Sequence, residues 1–265
     1  MKEICRDLAA EHESLDTLVA DLDATGWNTM TPFAGWRVKD EISHVAYFDD
    51  RARLAAVDPE AFAQHLNEIM KDLKGFIEQP LKPAQSMSKT ELLEWWRQER
   101  NLLLEALKSL DPKFRLPWYG PTMSAKSFAT ARLMETWAHG QDVVDALGAY
   151  RTPSDRLRHI VHLGVTTFGW SFSNRKMDVP KNPVRVELTS PSGELWAWGP
   201  DKAQDVVRGS AEDFCLAVCQ RRHVADTDIA TEGDVAAQWM LVAQAFAGPP
   251  ATGPEPGRFP KKKKG

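Results

Sequence analysis

Apolar residues recur every three or four positions through most of the first 150 residues, which is the spacing of one face of an α-helix. The pattern predicts helices over residues 3–24, 36–57, 58–73, 88–110 and 125–147. Short segments with Gly and Pro separate these helices. Amphipathic helices joined by short loops are typical of a helical bundle.

Residues with capping preferences mark several helix ends. Ser88 and Glu91 have the spacing of a capping box, and Asp58 stands where an N-cap is expected. Ser124 and Gly148 are placed to begin and to end the fifth helix. The stretch between the fourth and fifth helices, residues 116–123, is predicted to be a loop.

The pattern changes beyond Pro180. Residues 184–189 alternate with period two, a turn follows at 191–193, and residues 194–199 supply the partner strand of a hairpin. Before this hairpin, a helix that Ser154 caps is predicted over residues 154–174. After it, the pattern predicts a short strand over 205–208, helices over 211–220 and 235–246, and a loop or strand over 226–234.

These elements predict a mainly α protein with two domains. A helical bundle over residues 1–150 is followed by a smaller α+β domain over residues 151–248. Residues 249–265, rich in Pro and Gly and ending in four lysines, are predicted to be a disordered tail.

Composition excludes several classes of function. Hydrophobic residues make up 43% of the chain, and 33 Lys and Arg face 37 Asp and Glu, so we expect a globular protein without nucleic-acid binding. The charged N-terminus and the absence of a long apolar run predict neither a secretory signal nor a membrane segment. Three cysteines suit a reducing compartment. We therefore expect a cytoplasmic protein, monomeric or homodimeric.

The candidate chemistry lies on the helix over residues 125–147. Glu135 and His139 are four residues apart, so both side chains point from one helical face, with Arg132 and Asp142 beside them. A carboxylate and an imidazole one turn apart can hold a divalent cation if a third ligand joins them. Our candidate for that ligand is His44, on a second predicted helix.

Ordinary structural roles compete with this interpretation. A Glu and a His at this spacing are usually a solvated pair, and a single histidine among apolar residues is usually packed and hydrogen-bonded. A rival constellation is Cys215, Cys219 and His223, which a long enough helix would align for structural zinc. Buried cysteines more often simply pack.

The ligand candidates lie within a family pattern. The motifs are Trp36-x-Val38-x-Asp40-x-x-x-His44-Val45-Ala46 and, later in the chain, Glu135-x-x-x-His139-x-x-Asp142. They resemble the mycothiol-dependent maleylpyruvate isomerase family, a branch of the DinB-like metal-binding four-helix bundles. The second half is similar to the smaller C-terminal domain of that family, through residues 209–213 and 220–222. It also resembles the domain named for wyosine base formation, a likeness that we do not extend to tRNA chemistry.

The resemblance implies a function. In the isomerases the matching residues hold a divalent metal, usually zinc, so the resemblance assigns that role to His44, Glu135 and His139. It also implies a low-molecular-weight thiol, mycothiol or glutathione, which loses its proton at the metal and adds to an activated double bond of the substrate.

Two further residues are candidates for the chemistry. Asp142 lies one turn beyond His139 and could orient that ring through its second nitrogen. Arg222 or its neighbour Arg221 could bind a substrate carboxylate through two hydrogen bonds. A surface acid and a helix-terminal arginine pair are the alternatives.

Three functions remain open from the sequence. The first is a metal- and thiol-dependent isomerase or S-transferase acting on a small carboxylated molecule. The second is a metal-assisted hydrolase or lyase without a thiol, and the third is a non-catalytic metal-binding module.

Overall fold

The structure is a computed structural model, and it describes residues 1–33, 35–71, 75 and 78–259. The chain forms two compact units, the first over Met1–Arg151 and the second from Thr152 onward. The mainly α class predicted from the sequence is confirmed. The limits of the three predicted domains stay a prediction.

The first unit is built from helices. They are α1 (Lys2–Val19), α2 (Ala24–Trp27), α3 (Val38–Val57), α4 (Pro59–Lys71), α5 (Lys82–Ser86), α6 (Lys89–Lys108) and α7 (Ala125–Leu147), with a 3₁₀ turn at Gln79–Leu81. Residues near the end of the predicted helix over 58–73, Asp72 and Leu73, lie outside the described residues.

The four long helices α1, α3, α6 and α7 form the bundle. α3 packs most extensively against α6, and α7 packs against both α1 and α3. Their facing apolar side chains make a core in which Trp96 is fully buried. The capping box predicted at Ser88 is present, since its hydroxyl accepts from Glu91 N, and Ser124 caps α7 in the same way. Local signals therefore set where the helices of the bundle begin.

Two local predictions are wrong. The predicted loop over 116–123 is flanked by a two-residue ladder, β1 (Arg115–Leu116) with β2 (Met123–Ser124). The predicted helix over 154–174 is two helices, α8 (Leu157–Thr166) and α9 (Phe168–Ser173), and Arg156 rather than Ser154 precedes it. At the break, the hydroxyl of Thr167 donates to Leu163 O.

The second unit contains a four-stranded sheet. The strands are β3 (Val184–Thr189), β4 (Leu195–Trp198), β5 (Asp205–Ser210) and β6 (Ala230–Glu232), in the order β4-β3-β5-β6. The predicted hairpin of β3 and β4 is confirmed, and β3 pairs with β5 in parallel. Helices α10 (Ala211–Val218) and α11 (Asp234–Val242) pack on β5.

The stretch after residue 248 bonds to the second unit. Gln220 donates its side-chain amide to Ala251 O, and Asp226 accepts from the backbone N–H of Gly257. The four lysines that end the predicted disordered tail lie outside the described residues. In the described part of the chain, no helix is long and apolar enough to pass through a membrane.

Gly199 offers a sharp test of the sheet. Its φ is +81°, and a Cβ there would lie 2.2 Å from the carbonyl oxygen of Val184. We expect Gly199→Ala to cost at least about 3 kcal/mol, because it adds a backbone collision to left-handed strain. Hydrogen exchange of the β3 and β4 amides measures the loss.

Gly193 is the matched control. Its φ is +89°, but nothing lies within 4 Å of an added Cβ. Gly193→Ala should therefore cost only about 1–2 kcal/mol, the price of the left-handed conformation. Equal effects of the two substitutions would contradict the role of the close approach to Val184.

Candidate metal centre

Helices α3 and α7 bring His44 together with Glu135 and His139. One potential ligand atom of each residue lies within 4.8 Å of those of the other two. The two imidazole rings have centroids 4.3 Å apart, and Nε2 of His139 lies 3.3 Å from Oε2 of Glu135. The three side chains proposed from the sequence as ligands therefore face one common point.

The donor set fits a divalent cation. Two ligands that each lie roughly 2 Å from a zinc ion are at most about 4 Å apart, so shifts of less than about 1 Å would bring the three atoms into bonding range. Two imidazoles and one carboxylate suit zinc and several other divalent transition metals. Three protein ligands also leave a coordination position for another molecule.

Glu41 is part of the site although the sequence analysis did not single it out. Its Oε2 lies 2.7 Å from Nδ1 of His139, and its Oε1 accepts a 2.7 Å hydrogen bond from the hydroxyl of Thr31. Its side chain is fully buried. A signal did exist, because Glu41 stands on a helix face between the apolar residues Val38 and Ile42, one turn before His44.

The environment of Glu41 acts on its ionisation. Burial raises the pKa of this carboxyl above its ordinary value, and the hydrogen bond with His139 opposes the rise. Asp142 raises it further by charge repulsion. Asp142 itself places Oδ2 3.9 Å from Nδ1 of His139.

Aromatic rings enclose the two histidines. Trp36 lies nearly parallel to His139, with centroids 5.9 Å apart, and Phe33 meets the same ring edge-on at 5.8 Å. Phe48 lies 4.7 Å from the ring of His44. These rings give the ligands an apolar surround, in which electrostatic interactions are stronger than in water.

A buried ion pair joins α3 and α7, the two helices that carry the candidate ligands. Asp49 on α3 accepts from Arg132 on α7 at 3.0 Å and from the indole of Trp96 at 3.2 Å. Nε2 of His12 lies 3.2 Å from the same carboxylate, at an angle that is not that of a hydrogen bond. Burial alone would raise the pKa of Asp49, but the charges of Arg132 and His12 and the hydrogen bond from Arg132 lower it below its ordinary value.

The rival cysteine site is not formed. Helix α10 ends at Val218, before Cys219, so it does not extend to His223, which accepts from the backbone N–H of Ala225 instead. Cys215 is buried, with its sulfur 3.7 Å from Leu157 O. Among the described residues, the groups with ion-binding spacing are those around His139. The structural-zinc alternative is therefore wrong.

Arg222 belongs to the second unit. Its guanidinium lies 4.1 Å from the ring centroid of Phe259 and donates to Arg221 O. Arg221 is buried and donates to Cys219 O. The role of Arg222 as a carboxylate clamp stays a prediction.

Two protein families match parts of this chain. Residues 8–144 match the mycothiol maleylpyruvate isomerase N-terminal domain. Residues 180–231 match the family described as wyosine base formation.

Relatives are found among both curated proteins and solved structures. Uncharacterized proteins of two Mycobacterium tuberculosis strains are each 45% identical over 247 residues, which cover 93% of this chain and 96% of the relative. The crystal structure of the mycothiol-dependent maleylpyruvate isomerase matches with a TM-score of 0.56 at 17% identity, over 87% of this chain and 92% of that one. A histidine-to-alanine mutant of that enzyme matches over the same shares, with a TM-score of 0.57 at 16% identity. The structural matches show a shared fold, and the family match with the 45% identity shows that the chain belongs to the mycothiol maleylpyruvate isomerase family.

Proposed function

We propose that this protein is a metal- and thiol-dependent isomerase or S-transferase that acts on a small carboxylated molecule, in the manner of a maleylpyruvate isomerase. The observation that carries the proposal is the convergence of His44, Glu135 and His139 on one point inside the bundle. Membership of the isomerase family supports the thiol and the type of substrate. Localisation in the cytoplasm remains a prediction.

The ligand residues differ in exposure, which sets where a substrate can approach. His139 is buried, whereas His44 and Glu135 are partly exposed. A small molecule would therefore reach the centre from the side of His44 and Glu135. A divalent cation held there would lower the pKa of a thiol and polarise a substrate carbonyl.

The surrounding residues have roles of their own in the proposal. Trp36 and Phe48 pack against the ring of His44, and a single carboxylate among the proposed ligands would leave the centre attractive to an anion. Arg222 would bind the carboxylate of the substrate with its planar fork of donors. Asp142 would add negative charge on the Nδ1 side of His139.

The test is an isomerisation assay on the full chain. Zinc-loaded protein is incubated with maleylpyruvate and mycothiol, with glutathione, or without a thiol, and the isomers are separated by chromatography. We expect turnover only when metal and thiol are both present, because the thiol supplies the nucleophile. Chelator-treated protein is the matched control.

Two outcomes would overturn the proposal. Turnover that needs the metal but no thiol would replace it with the hydrolase or lyase alternative. Zinc binding without turnover under any of the thiol conditions would favour the non-catalytic metal-binding module.

A further inference from the structure

The two ring nitrogens of His139 face different carboxylates. Nε2 lies 3.3 Å from Oε2 of Glu135, and Nδ1 lies 2.7 Å from Oε2 of Glu41. Two groups with ion-binding spacing therefore share this histidine, one with His44 and Glu135 and one with Glu41 and Asp142. A neutral imidazole has a lone pair available on only one nitrogen, so it can serve only one of the two groups as a ligand.

Exposure separates the two groups. Glu41, His139 and Asp142 are all buried, with exposures of 0%, 4% and 3%. In the other group His44 and Glu135 are partly exposed. A substrate could not approach an ion bound on the Glu41 side of the ring. It could approach an ion bound on the Glu135 side. The proposed catalysis would therefore use Nε2 as the ligand atom, with the proton on Nδ1.

Both carboxylate oxygens of Glu41 are already engaged. Oε2 faces Nδ1 of His139, and Oε1 accepts from the hydroxyl of Thr31 at 2.7 Å. A carboxyl group that is held at both oxygens and faces an imidazole N–H is a typical outer partner of a metal-ligating histidine. The carboxyl group of Glu41 therefore has little freedom to turn toward an ion on the Nε2 side of the ring.

Thr31 connects this arrangement to the loop that covers the histidine. The backbone of Thr31 donates to Trp36 O at 2.7 Å, and its side-chain oxygen accepts from the N–H of Phe33. The rings of Trp36 and Phe33 pack on His139. One threonine thus holds the carboxylate and the two rings that fix the plane of the imidazole.

We propose that Glu41, held by Thr31, is a positioning residue: it accepts a hydrogen bond from the Nδ1–H of His139 and so leaves Nε2 to bind the metal. The inference rests on the proposed metal centre and adds to it the residues that select the ligating nitrogen. Asp142, the residue to which the sequence analysis gave this role, is the more distant of the two carboxylates on the Nδ1 side.

The test combines zinc affinity with the state of the ring. Zinc dissociation constants are measured by competition with a chelating dye for the wild-type chain, Glu41→Gln and Glu41→Ala. We expect affinity to fall by about 10–100-fold in Glu41→Ala and by less in Glu41→Gln, which retains an acceptor. In ¹⁵N-histidine NMR of the zinc-loaded wild type, the Nδ1 proton of His139 should be present and slow to exchange with water. In Glu41→Gln it should shift and exchange faster.

Two further variants are compared with the Glu41 variants. Thr31→Val frees Oε1 without removing the carboxylate, and we expect a smaller loss of zinc affinity than in Glu41→Ala. Glu11→Gln is the matched control, because Glu11 is a buried glutamate of the same unit that pairs with Arg151. It should leave the His139 resonances unchanged.

Two results would overturn the role proposed for Glu41. Unchanged zinc affinity and an unchanged Nδ1 proton in Glu41→Gln would overturn the proposal. Loss of zinc from Glu41→Gln as complete as from His44→Ala would make Glu41 a ligand and would also overturn it. Neither readout requires turnover, so failure of the isomerase assay is a separate result.

Discussion

Replacing Asp49 by alanine is expected to lower the free energy of unfolding by about 3–5 kcal/mol. The reason is that the substitution leaves the guanidinium of Arg132 buried without its 3.0 Å partner and removes the acceptor of the Trp96 indole. Urea unfolding, monitored by hydrogen exchange of α3 and α7 amides, measures the loss. The same experiment tests whether this ion pair holds the two ligand-bearing helices together.

The loss of unfolding free energy in Asp49→Ala should become smaller at low pH. Because the pKa of Asp49 is lowered in the folded chain, its contribution is present in full above the ordinary value of 3.8. The contribution of Asp49 to stability is lost as the pH falls from 3.8 through the lower pKa of the folded state. The difference in stability between the wild type and Asp49→Ala should therefore shrink below about pH 4.

The neighbouring residue supplies the control. Asp50 also pairs with arginines, but these partners, Arg51 and Arg53, are partly exposed. Asp50→Ala should cost about 1 kcal/mol or less. If Asp49→Ala proved no more destabilising than Asp50→Ala, the buried pair would have no special part in joining α3 to α7.

Removing a proposed metal ligand is expected to cause a large loss of zinc affinity. His44→Ala should weaken zinc binding by at least about 100-fold, more than the roughly 10–100-fold that loss of an outer partner costs. Glu135→Ala should act similarly, since it removes the carboxylate of the set. Metal analysis after dialysis, with dye competition for the affinity, gives both the stoichiometry and the dissociation constant.

His65 is a suitable control for these variants. It lies on α4 in the same unit, where its Nε2 is 2.8 Å from the hydroxyl of Tyr119. We expect His65→Ala to retain zinc. Full retention of zinc by both His44→Ala and Glu135→Ala would remove the metal centre and the function built on it.

The sequence predicted the elements whose signals are local. Helix α7 has the predicted bounds because a serine cap precedes it and Gly148, with φ of +59°, follows it. The hairpin of β3 and β4 was equally clear, since its alternation and turn are contiguous. The parallel pairing of β3 with β5 was not predictable, because it joins segments that share no local pattern.

The site was predictable only in part. Glu135 and His139 share a face by helical spacing alone, whereas His44 was a candidate on a separate helix that only the family resemblance connected to them, since spacing cannot bring two helices together. Glu41 was missed because its only sequence signal, a position between the apolar residues Val38 and Ile42, does not name a partner. Its partners Thr31 and His139 become visible only when the loop and both helices are in place.

The origin of the ligands in two distant segments has a consequence for the cell. Only the folded bundle assembles His44 beside Glu135 and His139, so an unfolded chain would compete poorly for the ion. By mass action, each tenfold excess of free zinc over its dissociation constant would then add about 1.4 kcal/mol to the stability of the fold. If the proposed centre binds zinc, the abundance of this protein would follow the supply of metal, because a metal-starved cell would lose the less stable chain to proteolysis.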